Sequence, residues 1–172
     1  MKRLVKKIIN KIGYDLIKIR TVKPDISLYN TSNNEKKVID LDVVAEVGEL
    51  IPGMTTKESG KFLFTLCYMQ EMKGDVGEIG SWQGKSASFL ARAVKESANG
   101  KFYAIDHFNG NVGKEHLYTT GNKYISIKDA FVNNIEKIQL SDYVNLLDME
   151  NTKAAEKLRK KTIRFLFIDG DH

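Results

Sequence analysis

The sequence predicts an α/β domain, a parallel sheet with flanking helices, preceded by an N-terminal amphipathic helix. Three observations carry this. Strand-like runs of four to six residues recur at 76–79, 101–105, 143–147 and 163–168, bounded by Gly, Asn or Asp, and helical periodicity fills the intervals. Strand–helix–strand units of this length imply right-handed crossovers and parallel pairing. The last run, Ile163 to Ile168, is almost wholly apolar, as expected of a strand buried on both faces.

In chain order, residues 2–19 place Leu4, Val5, Ile8, Ile9, Ile12 and Leu16 on one helical face and Lys2, Arg3, Lys6, Lys7 and Lys11 on the other. Such a helix can lie on an anionic membrane surface, or dock on its own domain or on a second subunit as a homo-oligomer. Residues 1–23 form this basic segment, and 24–50 read as a linker followed by a covering segment, helical or irregular, over 38–51. From Pro52-Gly53 onward, 51–172 form the main domain. Thr55-Thr56-Lys57-Glu58 reads as a capping box, with Thr55 as the cap, opening a helix to about Met72. After the 101–105 strand, His107 to about Lys123 is a polar, glycine-containing loop, a candidate lid or acceptor wall. Residues 124–138 read as a helix turning Ile127, Ala130, Phe131, Ile135 and Ile138 to the sheet, and 152–160 as a short basic helix.

The chain is organised around 75–106. A strand ends at Gly80, a turn Ser81-Trp82-Gln83-Gly84 opens a helix at Lys85, and the next strand delivers Asp106. This strand, glycine turn, helix, strand and acid form a nucleoside-binding unit. Gly80 permits a sharp turn, and Gly84 permits close packing of helix on strand. Asp106 can accept hydrogen bonds from two ribose hydroxyls. A phosphate-binding P-loop needs four residues between Gly and Gly-Lys-Ser, and here there are three. The dinucleotide pattern G-x-G-x-x-G places its second and third glycines on Trp82 and Lys85, so it fails as well. What remains is E-x-G-x-x-x-G, from Glu78 to Gly84.

These residues, with the terminal Ile168-Asp169-Gly170-Asp171-His172, resemble the first two motifs of the class I S-adenosylmethionine-dependent methyltransferases. They are most similar to the metal-assisted branch that methylates sugar hydroxyls. The resemblance covers about 50–172 and implies a Rossmann-like fold. It further implies that Glu78 and Gly80 meet the methionine end of S-adenosylmethionine, that Ser81 belongs to the cofactor site, that Gly84 allows close packing, and that Asp106 holds the ribose. His107 and Phe108 would flank the adenine, and Asp148 would accept its amino group or else cap the following helix. By the same resemblance Asp169 binds Mg²⁺ and His172 is the general base. The chemistry is coherent, because a sugar hydroxyl is a poor nucleophile until a base takes its proton or a metal lowers its pKa. The acceptor implied is a sugar or glycan hydroxyl.

A full domain of that kind continues through a fifth strand and a terminal hairpin. The 172 residues therefore read as a C-terminally truncated piece, incomplete after the fourth strand, inactive alone and prone to associate through an open strand edge. Two rivals stay open: a non-catalytic nucleoside-binding or membrane-associated scaffold, and an NAD-dependent oxidoreductase.

Composition narrows the setting. One cysteine, Cys67, in an apolar run, excludes a disulfide framework within the chain and reads as a core thiol. The net charge of +5 is local: 1–23 carries eight Lys/Arg against Asp15, and the rest is slightly acidic, so no nucleic-acid partner is expected. Neither a membrane-spanning run nor a secretory signal is evident. The expectation is a cytoplasmic protein, at the inner face of the membrane if the basic helix binds there.

Overall fold

The computed structural model describes residues 39–110 and 125–170. The expectations for the basic helix and its linker through residue 38, for loop 111–124, and for Asp171 and His172 lie outside these residues.

The first described element is α1, Leu41–Gly48, which Asp40 caps by accepting the Asp42 and Val43 amides. Helix α2 follows, Lys57–Tyr68, then β1, Asp75–Ile79, and α3, Lys85–Ser97. Next come β2, Phe102–Asp106, and α4, Ile127–Lys137. A 3-10 turn, Ser141–Tyr143, leads into β3, Val144–Asp148, and the described chain closes with α5, Asn151–Leu158, and β4, Ile163–Ile168. The four strands are parallel, in the order β3-β2-β1-β4. Strand β1 is therefore central, and the chain reverses direction across it. This is the Rossmann-like α/β architecture the sequence predicts.

Alternation along the strands divides the core. Val76, Phe102 and Ala104 join Phe64, Phe89 and Leu90 in the main core, under α1, α2 and α3, with Phe131 and Ile135 of α4. On the opposite face Tyr103, Ile105 and Leu147 pack on Ala154 of α5. The Phe89 ring fixes the three-helix layer: Cβ atoms added at Gly48 or Gly60 would run into it, so α1 and α2 meet α3 through two glycine notches. None of the described helices is long and apolar enough to cross a membrane.

Several expectations need correction. The cap of α2 is Thr56, whose Oγ1 accepts the Ser59 N–H at 3.2 Å, and the helix ends at Tyr68 rather than near Met72. Thr56, not Thr55, has the extended backbone that an N-cap requires. Gly84 does not serve helix-on-strand packing. With φ +95°, it leaves room for Phe131 of α4, whose Cδ2 would stand 3.0 Å from an added Cβ. Strand β4 is not buried on both faces: among the described residues it is the outermost strand beside β1, and Leu166 and Ile168 are 49% and 53% exposed.

Arg164 is the exception inside that apolar strand. Asp75 pairs with Ile163 and Val76 with Phe165, so Arg164 is the extra residue of a bulge. Its guanidinium donates to the carbonyls of Gly74 at 3.1 Å and Asn99 at 3.2 Å, and to that of Cys67. Cys67 lies in the last turn of α2 and Asn99 just beyond α3, where helix carbonyls lack partners and carry negative dipole charge. Arg164 thus ties two helix ends to the edge strand.

Candidate functional site

A cavity of about 450 Å³ opens at the carboxyl ends of β1, β2 and β4, beside the point where the chain direction switches and where ligands settle in open α/β sheets. Its size suits a small molecule.

Gly80 places β1 against the residues after β4. Its φ is +88°, and a Cβ there would lie 2.6 Å from the Asp169 carbonyl oxygen and 2.8 Å from the Gly170 Cα. The Asp169 amide also donates to the Ile79 carbonyl at 2.9 Å. This close approach is what carries Asp169 into the cavity wall. Burial pushes its carboxyl above the usual aspartate range.

Asp106 organises the opposite side. Its Oδ2 accepts the Trp82 N–H at 2.9 Å and its Oδ1 the Phe108 N–H at 2.7 Å. Trp82 and Phe108 both hold positive φ, +42° and +56°, which non-glycine residues rarely adopt. Both line the cavity, and Phe108 leans on Phe131 with ring centroids 5.7 Å apart. One carboxylate therefore holds two strained aromatic walls, and each oxygen still has capacity for a further donor. His107 Nδ1 accepts the Asn109 N–H at 3.0 Å, which leaves the ring proton of a neutral imidazole on Nε2.

Of the residues singled out in the sequence, Gly80, Ser81, Asp106, His107, Phe108 and Asp169 meet around this one cavity. Glu78 lies beneath it, fully buried, with neither carboxyl oxygen hydrogen-bonded. Burial first, then the nearby charges of Asp169 and Asp106, push its pKa up to about 7, against an opposing pull from the Ser86 and Ser81 hydroxyls. Gly84 stands behind the turn. Asp148 is exposed outside the lining, and its Oδ2 takes the Lys128 ammonium at 2.8 Å. His172 lies outside the described residues.

Sequence reasoning missed several wall residues. Met54 and Thr55 arrive from the α1–α2 loop, and Glu150 and Asn151 from the end of β3. Lys85 and Ser86 also line the cavity, and their place directly after Gly84, at a helix N-terminus, was a usable signal. The Lys85 ammonium is held by Glu49 at 3.0 Å. Asp106, Glu150 and Asp169 therefore give the lining an acidic balance that favours a ligand carrying positive charge.

A family model described as a methyltransferase domain matches residues 78–172, more than half of the chain. The chain belongs to this methyltransferase-domain family. Comparison with curated protein sequences gives no match. Among solved structures, the chain is similar to an O-methyltransferase from Bacillus cereus in complex with SAH, at 20% identity and a TM-score of 0.52, covering 98% of this chain and 61% of that one. It is also similar to a SAH-bound methyltransferase from Podospora anserina, at 14% identity and a TM-score of 0.53, covering 76% and 49%. A third is the O-methyltransferase TomG from Streptomyces achromogenes in complex with SAM, at 18% identity and a TM-score of 0.50, covering 78% and 55%. At these identities the likeness establishes the fold. The methyltransferase-domain chain spans about half the length of these structures.

The Mg²⁺ reading finds little support in the donor set. Among the described residues no three His, Cys, Asp or Glu side chains gather to hold a metal ion. Asp169 by itself does not make a hard-cation site, which takes several oxygen ligands.

Proposed function

We propose that this chain forms the cofactor-binding part of an S-adenosylmethionine-dependent O-methyltransferase, with a sugar or glycan hydroxyl as acceptor. The observation that carries the donor is the acid-rich cavity framed by Gly80 and Asp106, with Asp106 at the tip of β2 offering its remaining acceptor capacity to a ribose diol. Family membership supports methyl transfer, and the neighbours solved with SAH or SAM support the donor. The sugar acceptor rests on the resemblance of the Asp169-to-His172 segment alone.

In this reading the chain's residues chiefly bind and orient. The Trp82 and Phe108 walls confine the nucleoside, and Asp106 fixes its ribose. Asp106, Glu150 and Asp169 offset the sulfonium charge, which is greatest before transfer. Bound there, S-adenosylmethionine would supply an electrophilic methyl group to the acceptor oxygen, leaving as the neutral thioether, and the hydroxyl proton would pass to a base. His172, three residues after a cavity-lining acid, is the proposed base. Most of the rate gain from such a site comes from holding oxygen, carbon and sulfur in line.

Calorimetric titration of S-adenosylhomocysteine into the 172-residue chain, with Asp106→Ala as control, tests the donor. Saturable binding that the control loses is expected. Binding of NAD in place of S-adenosylhomocysteine would overturn the reading.

A further inference from the structure

Glu78 is a fully buried acid under a cavity already rich in carboxylates. Neither of its oxygens has a hydrogen-bond partner, and the Ser81 hydroxyl beside it is buried and unpartnered too. Fold stability alone gives no reason for an acid here, because an unsatisfied buried polar group costs free energy that an apolar side chain would not. Its surroundings are asymmetric. Toward the cavity stand Ser81 and Ser86, which line it, and past them Asp106 of β2 and Asp169 beyond β4. On α3, Lys85 is committed to Glu49. At the other end of the sheet, Asp75 of β1 accepts the Lys101 amide, and Arg164 of β4 is occupied by carbonyls. Thus the charges that act on Glu78 from the cavity are both negative, and one layer of serine hydroxyls separates it from a ligand.

We propose that Glu78 is a proton switch beneath the cofactor cavity: it carries a proton for part of the time while the cavity is empty, and gives it up to solvent when a cationic ligand settles above it. The inference rests on the methyl-donor reading. A neutral acid avoids the desolvation cost of a buried carboxylate and the repulsion of Asp106 and Asp169. A sulfonium and an ammonium in the cavity reverse that balance. The Glu78 O–H bond then breaks, its proton passes to solvent, and the Ser86 and Ser81 hydroxyls beside it favour the carboxylate. The site thereby matches its own charge to its ligand. After transfer the sulfonium has become a neutral thioether, so Glu78 regains part of its proton and the product is held less tightly than the donor.

The test is calorimetry of S-adenosylmethionine binding to the 172-residue chain at pH 7, in two buffers that differ in ionisation enthalpy. Because burial raises the Glu78 pKa toward neutrality in the empty site, a net release of protons on binding is expected. Smaller release is expected with S-adenosylhomocysteine, and none with Glu78→Gln. Infrared spectroscopy of the unliganded chain supplies a second readout: a protonated-carboxyl band that fades with a midpoint near pH 7 and is missing in Glu78→Gln. Donor binding with buffer-independent enthalpy, or equal release by the variant, overturns the proposal, as does absence of the band. If the band is present and S-adenosylmethionine does not bind, the donor reading fails and takes the ligand-driven half of the switch with it.

Discussion

Asp106 Oδ2 accepts the Trp82 N–H at 2.9 Å, and this bond joins the tip of β2 to the turn that follows β1. The same side chain holds Phe108 through its other oxygen. Asp106→Ala should remove both charge-assisted bonds and release two strained backbones, at a cost of about 3 kcal/mol. Asp106→Asn keeps one acceptor oxygen and should lose about half of that. Urea denaturation gives the stabilities, and the near-ultraviolet signal of Trp82, the chain's single tryptophan, reports whether the turn keeps its shape. Equal stabilities in all three proteins would contradict this role.

Raising the Glu78 pKa has a thermodynamic consequence of definite sign. The folded chain binds this proton more tightly than the unfolded chain, whose glutamate has an ordinary value of 4.5. The contribution is therefore complete below pH 4.5 and is lost as pH rises to about 7. Against wild type, Glu78→Gln should be relatively more stable at pH 8 than at pH 4. A difference in unfolding free energy that stays constant over this range would refute the assignment.

Gly60→Ala should overpack the Phe89 ring and destabilise the chain by about 1–3 kcal/mol. Phe89→Leu makes room, so the double variant should be more stable than the sum of the two single costs implies. Additive costs would mean that the notch does not set the packing.

Arg164→Met would leave the carbonyls at the ends of α2 and α3 without their donor. A loss of about 2–4 kcal/mol is expected, and Arg164→Lys should rescue little of it, since one ammonium cannot span donors spread as those of a guanidinium are. Full rescue by lysine would show that charge alone matters.

The strands and the two turn glycines were legible in the sequence because they depend on local rules: apolar runs, strand length, and conformations that glycine adopts freely. The convergence of Gly80, Asp106 and Asp169 was legible for the same reason, since strand tips of a parallel sheet share one end. Features set by pairing between distant segments were not. Arg164 looked like a stray charge in an apolar run, and its bulge exists only in the register of β4 against Asp75 and Val76. Nothing local separates Thr55 from Thr56 as the helix cap; in the structure Thr56 takes that role and Thr55 lines the cavity. Gly48 and Gly60 gained meaning only when Phe89 was seen between them. Asp148 shows the opposite limit: it closes β3, as the sequence predicts, yet it stands outside the lining and pairs with Lys128.

The order β3-β2-β1-β4 also dictates a sequence of events during synthesis. Strand β1 can pair with β2 soon after both leave the ribosome, whereas its other edge waits for β4, whose Arg164 contacts Gly74 across 90 residues of chain. Until then the central strand of the finished sheet is an outer strand of the nascent one, with its polar backbone open to other chains. Pairing across such a separation is slow, and the carbonyls of Cys67 and Asn99 wait as long for the Arg164 guanidinium. The nascent chain is thus most vulnerable to aggregation in the interval before β4 emerges, and a holding chaperone would be of most use there.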